Sequence, residues 1–363
     1  MNSIYIANFI KKDNNNLDFI RLLCAYFVIY SHAYVLAPSF GSDDILYKTF
    51  QLGDIGFGSI AVKTFFLISG ILITNSLMSG GNLFSFVISR FARIYPAFFV
   101  VVVISATVIG PLVSTLSLSD YFSSNEVWLY ISKTLRLNIQ YLLPGVFNNN
   151  ALPAINGSIW TIPMEVKAYL YLMLTYLLSM VFGHYKKYFI AFISIVIIAE
   201  PFTPFKGVFL AKTDVIGIYL LYPFFSIGCL LALFKENIKT HHLLLISVSS
   251  LIAFIVFSKS ELNRTFCFHL FSSLFLIYIA STPLIKKIKI NNDISYGVYL
   301  WAFPAQQLIA SAYPHSPYIN MIIAFILSSI LGLISFHVIE NPSMVAGRKI
   351  KKSRLFLRQG HTS

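Results

Sequence analysis

Arg21 and His32 stand eleven residues apart in LDFIRLLCAYFVIYSHAYVL, a stretch long and apolar enough to enter a membrane. At 3.6 residues per turn, eleven steps return to nearly the same helical face, so the two side chains share one stripe about 16 Å apart along the axis. Ionisable groups inside a membrane are costly, and an Arg and a His kept on one face therefore read as a site rather than a scaffold. Asp18, one turn before Arg21, is placed to pair with it at i, i+3 and lower the cost of its burial. A lone membrane histidine is more often a buried neutral imidazole hydrogen-bonded across helices. His269 and His337 take that reading; His32 escapes it because of its company.

Further polar groups fall at helical spacing. In SRFARIYPAFF, Arg90 and Arg93 are three apart on one face, and two guanidiniums so spaced can clamp phosphate groups. Taken alone, that pair fits plain topological anchoring better. In GSIWTIPMEVKAYLYL, Glu165 and Tyr169 share a face at i, i+4, and a carboxylate near an imidazole can orient it and raise its basicity. Glu165 needs a partner, with His32, Lys63 and Lys167 the candidates and Lys167 the poorest placed. Trp160 alone fits an interfacial belt residue. In AVKTFFLISGILITNSL, Ser69-Gly70 lets helices or a thin ligand approach closely. Glu340, in VIENP, is expected at the cytosolic surface with a basic partner.

The elements that must position these residues are helices in a membrane. The chain has 363 residues, 57% hydrophobic and only 11% charged, against roughly 25% charged in soluble domains; its mean hydropathy is +0.74. This is an all-α polytopic membrane protein with about ten transmembrane helices, at roughly 17–37, 59–79, 94–113, 159–182, 188–200, 214–234, 242–258, 265–281, 294–313 and 318–339. With the N- and C-termini cytosolic, 18 of the 27 Lys and Arg lie inside: Arg21, the pairs at 11–12, 90/93, 186–187 and 235/239, the cluster 286–289, and the tail from Arg348 to Arg358. That distribution explains the net charge of +13 through topology rather than nucleic acid. Residues 127–143 tempt an eleventh span, but Lys133 and Arg136 would then sit at mid-membrane, so an outer interfacial or re-entrant helix is expected. The opening MNSIYIANFIKKDNNN is too polar for a cleaved signal peptide, so the first span is retained. Three cysteines in apolar segments argue for packing, not a disulfide framework. Residues 1–342 form the membrane domain and 343–363 a basic cytosolic tail on the anionic inner leaflet.

Together and in this order, the motifs resemble the acyltransferase 3 family of integral-membrane acyltransferases. Its basic residue, ten residues, then His falls on Arg21 and His32 inside an LDxxR opening. FFxxSG falls on Phe65, Phe66, Ser69 and Gly70; RxxRxxP on Arg90, Arg93 and Pro96; the Trp-Ser/Thr, Glu, Tyr segment on Trp160, Thr161, Glu165 and Tyr169; and SYxxYLW on Ser295, Tyr296, Tyr299, Leu300 and Trp301. The resemblance runs from about residue 17 to 342. Two departures stand out: Ala302 follows YLW where many members have His, and Glu165-Val166 replaces paired glutamates. The appended extracellular domain of some members is not seen, so transfer would be completed in the membrane domain.

The resemblance implies an acyl-CoA donor, most often acetyl-CoA, as co-substrate with no metal. The implied acceptor is a carbohydrate hydroxyl on a bacterial-type surface polysaccharide (O-antigen, capsule or exopolysaccharide) or its lipid-linked precursor. It implies a multi-pass protein of the bacterial inner membrane, in contact with lipid and not with nucleic acid. His32, Glu165 and Arg21 are the expected catalytic residues. Arg90, Arg93, Ser69 and Gly70 are expected at the donor, Trp160 and Tyr169 at the acceptor. His32 would act as general base with Glu165 orienting it, or would carry a covalent acyl group; the sequence leaves both open. A transporter or flippase of lipid-linked sugars is the alternative from another class, and a scaffold without chemistry a third; no inverted repeat of broken helices supports transport. Oligomeric state is left open.

Overall fold

The computed structural model describes residues 3–52, 54–79, 82–204, 219–256, 259–288 and 290–359, the side chains of 352–359 excepted. The start of the expected span 214–234, the end of 242–258, Lys289 and residues 360–363 lie outside the described residues, as do the side chains of Lys352, Arg354 and Arg358. The described residues contain helices and no strand, in the order α1 (Leu17–Leu36), α2 (Phe57–Met78), α3 (Leu83–Ile104), α4 (Asn125–Leu135), α5 (Thr161–Ser179), α6 (Lys186–Ala199), α7 (Leu221–Leu233), α8 (Thr240–Val256), α9 (Glu261–Ala280), α10 (Ser295–Ala312), α11 (Pro317–Ser335) and α12 (Asn341–Gln359), with shorter turns between.

Among the described residues six helical stretches are long and apolar enough to cross a membrane: Leu17–Leu36, Phe57–Met78, Leu83–Val113, Ser158–Phe202, Glu261–Ala280 and Pro317–Lys351. Leu221–Leu233 and Thr240–Val256 are apolar but shorter. This is an all-helical integral membrane protein. Among the described residues a helix falls within each of the ten expected spans, but those at 221–233, 240–256 and 295–312 are not among the six long apolar stretches. The expected pair 159–182 and 188–200 forms one long apolar stretch interrupted at Gly183, whose φ of +51° ends the first helix. The segment 127–143 is helical only to Leu135. The helix there, α4, has eleven residues and measures about 16 Å, half of a hydrocarbon core, and beyond Arg136 the chain turns through Leu137 at φ +65°.

The chain divides into two compact units: residues 1–31, 43–80 and 164–291, and residues 32–42, 81–163 and 292–363. The first unit takes its shape from α2 and α7. A Cβ on Gly70 would lie 2.1 Å from the Phe225 carbonyl oxygen, and one on Gly228 would lie 2.3 Å from that of Leu67. The two helices therefore touch backbone to backbone, as small residues permit in membranes. The start of α1 is fixed by the asparagine run. Asn15 and Asn16 side chains accept the Leu17 and Phe19 N–H groups at 3.0 and 3.1 Å, and the Asn16 amide reaches the carbonyls of Ile285 and Ile288 at 2.9 and 2.7 Å.

In the second unit two helices carry a π turn. Ser105–Ile109 extends α3, and there the buried Tyr121 hydroxyl donates to the Ala106 carbonyl at 2.8 Å. Phe336–Glu340 joins α11 to α12 and places Glu340 inward. A π turn inserts one residue into the helical ladder and is common where a side chain is re-aimed. The expected boundary at 342/343 thus lies within continuous helix.

Candidate active site

In the second unit His32 lies one turn before the end of α1. It is half-buried, and its Nδ1 is sealed from solvent with no hydrogen-bond partner among the described residues. Its ring meets Phe303 of α10 edge-to-face, centroids 5.1 Å apart. Phe303 also rests against Gly157, where a Cβ would fall 2.5 Å from the ring. Only glycine admits the ring there, so Phe303 touches both the turn before α5 and the imidazole. That turn is tied down. The Ser158 N–H donates to Asn156 Oδ1 at 3.1 Å, the Asn156 amide donates to the Leu300 carbonyl at 3.0 Å, and the Tyr299 hydroxyl donates to the Ser158 carbonyl at 2.6 Å. Tyr299 also meets the Thr161 hydroxyl at 2.7 Å. The SYxxYLW helix and the turn carrying Trp160 are thereby joined, with Trp160 half-buried in that turn.

Arg93 is enclosed by two carboxylates. Its Nη2 lies 2.6 Å from Asp293 and its Nη1 3.4 Å from Glu340. The Glu340 side chain is 0% exposed, that of Arg93 15%. Ser295 donates to Asp293 at 2.5 Å, Ser335 to Glu340 at 3.0 Å, and Tyr296 lies beneath the guanidinium at 5.8 Å. The basic partner expected for Glu340 is therefore Arg93, though Glu340 is buried rather than at the surface. Arg90, one turn earlier, is half-buried and has no ion pair or hydrogen bond among the described residues. The two arginines that the sequence placed together thus differ in kind, one engaged and one open.

In the first unit the Glu165 carboxylate accepts a short hydrogen bond from Tyr169 and one from Ser69 at 3.5 Å, so the two predicted motifs FFxxSG and Glu-x-x-x-Tyr meet. Gly70 packs against α7 instead of lining that group. Lys63, the expected alternative partner of Glu165, belongs elsewhere. It is 1% exposed and pairs with Asp54 at 2.7 Å. The same Asp54 carboxylate stands 3.3 Å from His269 Nε2, which also meets the Asp54 carbonyl at 2.9 Å. Burial pushes the Asp54 carboxyl up, but the Lys63 ammonium and the His269 contacts outweigh it and hold it well below the usual carboxylate range. His269 is the buried, hydrogen-bonded imidazole expected of it. His337 is not: it is exposed, bonding back to the Leu333 carbonyl at 2.9 Å and meeting the Asn292 amide at 3.4 Å. Arg21 and Asp18 pair at 3.9 Å, with Lys12 3.5 Å from the same acid. His32 and Glu165 belong to different units.

Sequence reasoning passed over Asp54, Asn156, Ser158, Asp293 and Phe303. Lys63 in an apolar helix signals a buried acid without saying which one. Among the described residues no group of three or more His, Cys, Asp or Glu is arranged to hold a metal ion.

An all-helical membrane protein with buried charged and hydroxyl groups is compatible with several functional classes. The comparisons narrow this. The profile of the acyltransferase 3 family, an acyltransferase domain, matches residues 14–339, so the chain belongs to that family. It is 27% identical over 338 residues to the O-acetyl transferase of Shigella phage Sf6, covering 90% of this chain and 95% of that protein. A nodulation protein 10 of Rhizobium leguminosarum bv. viciae is 32% identical over 164 residues, 43% of this chain and 42% of its own. The O-acetyltransferase OatA of Staphylococcus aureus is 26% identical over 352 residues, covering 80% of this chain and 53% of that protein. No solved structure matches.

Proposed function

We propose that this protein transfers an acetyl group from acetyl-CoA to a hydroxyl of a bacterial surface polysaccharide or of its lipid-linked precursor, in the inner membrane, with both termini in the cytosol. The observation that carries this reading is the family match across residues 14–339, joined to a full-length relative that is an O-acetyl transferase. The cytosolic placement rests on the bias of Lys and Arg.

Donor phosphates meet Arg90, the open guanidinium at the start of α3. Arg93, committed to Asp293 and Glu340, fixes that mouth in place. The pantetheine arm then runs along the second unit to His32. As the sugar oxygen bonds to the acetyl carbon, His32 Nδ1 accepts the hydroxyl proton. The C–S bond breaks and the imidazole returns the proton to the leaving thiolate, leaving no net proton to dispose of. General-base assistance of this kind contributes typically ~10²–10⁴-fold. In the first unit Glu165, with Tyr169 and Ser69, offers acceptors and donors suited to hydroxyl groups; in the second, Trp160 offers a flat face suited to a sugar ring.

The test is the acetylation state of the cell's surface polysaccharide by NMR in a deletion strain complemented with wild type or with His32→Ala. Acetyl signals that return with wild type and not with an equally expressed His32→Ala support the reading. Unaltered signals in the deletion strain, or full restoration by His32→Ala, refute it. Lipid-linked sugar that accumulates on the wrong leaflet in the deletion strain would point to a flippase instead.

A further inference from the structure

Ser158 is 1% exposed, and its hydroxyl has no hydrogen-bond partner among the described residues. A buried hydroxyl left unpaired costs about 1–3 kcal/mol and is retained in a fold only for a reason. The rest of Ser158 is fully engaged, its N–H by Asn156 and its carbonyl by Tyr299. The backbone is thus immobilised from both sides while the side chain alone is left over. The neighbouring Gly157 and His32 both bear on the Phe303 ring. The His32 Nδ1 is likewise buried without a partner. Two buried polar atoms without a partner among the described residues, Ser158 Oγ and His32 Nδ1, thus belong to segments that both pack on the Phe303 ring.

We propose that Ser158 is a further catalytic residue, the donor to the acetyl carbonyl oxygen. The inference rests on the acetyl-transfer reading above. When the acceptor oxygen adds to the acetyl carbon, the carbonyl π pair moves onto oxygen, and the Ser158 O–H donates a hydrogen bond to that oxyanion. The pair returns as the C–S bond breaks. Ser158 neither gains nor loses its proton; the proton in transit is carried by His32. A fixed donor costs no reorganisation at the moment of reaction, which is what pinning Ser158 at both peptide groups achieves. Removing one such donor lowers turnover by about 10²–10³-fold in other acyl-transfer enzymes.

The role has a readout that a structural role lacks. Ser158→Ala deletes an unsatisfied buried group, so stability should hold or rise while turnover falls. The measurement supplies labelled acetyl-CoA to membrane vesicles of the deletion strain carrying wild type, Ser158→Ala, Ser158→Cys or His32→Ala at matched levels. Label entering the carbohydrate fraction is followed as the acetyl-CoA concentration is varied. Thermal midpoints are measured on the purified full chains. Expected for Ser158→Ala is a fall of about 10²–10³-fold in maximal rate, with the KM for acetyl-CoA within threefold of wild type and the midpoint unchanged or raised. Ser158→Cys, with its weaker donor, should fall between. A Ser158→Ala maximal rate within threefold of wild type beside an inactive His32→Ala overturns the inference and leaves the acetyl-transfer reading standing. So does a loss of rate accompanied by a lowered midpoint. No label with wild type, or full label with His32→Ala, fails the acetyl-transfer reading itself.

Discussion

Replacing Arg93 by Ala should be the most destabilising single change at the start of α3, and the reason lies in what it leaves behind. Asp293 would keep the Ser295 hydroxyl at 2.5 Å and has a side chain 16% exposed, so water can recover part of its solvation. Glu340 would keep the Ser335 hydroxyl at 3.0 Å but, with its side chain 0% exposed, could recover little solvation from water. Breaking a buried ion pair from one side costs about 3–5 kcal/mol, chiefly through the stranded charge. Glu340→Gln is a milder change. Arg93 retains Asp293 at 2.6 Å, and the amide still accepts from Ser335, so about 1–2 kcal/mol is expected for the lost charge-assisted bond. In Arg93→Ala/Glu340→Gln no carboxylate is stranded at position 340, and the double variant should be more stable than Arg93→Ala by about 1–3 kcal/mol, whereas additive losses would make it less stable. Arg93→Lys should not restore stability, because one ammonium cannot span two carboxylates as a planar fork does. Unfolding of the four proteins by SDS in mixed micelles gives the cycle. Additive losses, or an Arg93→Ala protein within about 0.5 kcal/mol of wild type, would refute the claim that Glu340 depends on Arg93.

Glu165→Gln should lower acetyl transfer strongly while changing the thermal midpoint little, because the cation once suspected as its partner, Lys63, is held by Asp54 instead. A protein that melts early yet transfers at the normal rate would take Glu165 out of the site. Gly70→Val should prevent stable insertion, since its first side-chain carbon would lie 2.1 Å from the Phe225 carbonyl; normal yield and melting of that variant would contradict the contact of α2 with α7. Asp54 has a depressed folded-state pKa, so its contribution is complete above the unfolded value near ~3.9 and is lost as pH falls through the folded one. The wild-type melting temperature should therefore approach that of Asp54→Asn on acidification below about pH 4. A gap between the two that stays constant with pH would argue against a charged Asp54.

The helices were legible because hydrophobic runs of span length admit little else, and the chemistry was legible where motifs cluster locally, as in Glu165 and Tyr169 at i, i+4. Pairings at long sequence separation were not. Nothing in QLGDIGFG marks Asp54 as the counter-ion of Lys63, and Arg93 meets Glu340 across 247 residues. Phosphate clamp and anchor were the two readings of Arg93 that the sequence offered; a guanidinium held by two acids is a third. Ser158 escaped notice for a different reason. Its distinction is the absence of a partner, a property with no signature in residue type or spacing. The asparagines before α1, whose role residue type alone does not single out, cap it.

The π turn at Phe336–Glu340 sets the angular phase of everything after it. One residue more or fewer in that turn rotates the following helix by about 100° and shifts it by about 1.5 Å. At present Gly347 lies so close to α3 that a Cβ there would come within 3.0 Å of Ala92, and Lys351 donates to Ser89 at 2.8 Å. A single-codon deletion within 336–340 would regularise the ladder and swing both residues off α3, carrying the basic side of α12 round with them. A substitution at any one position of the turn leaves that phase intact. Length, more than composition, is therefore what this junction constrains, and insertions or deletions should be tolerated there far less readily than point changes.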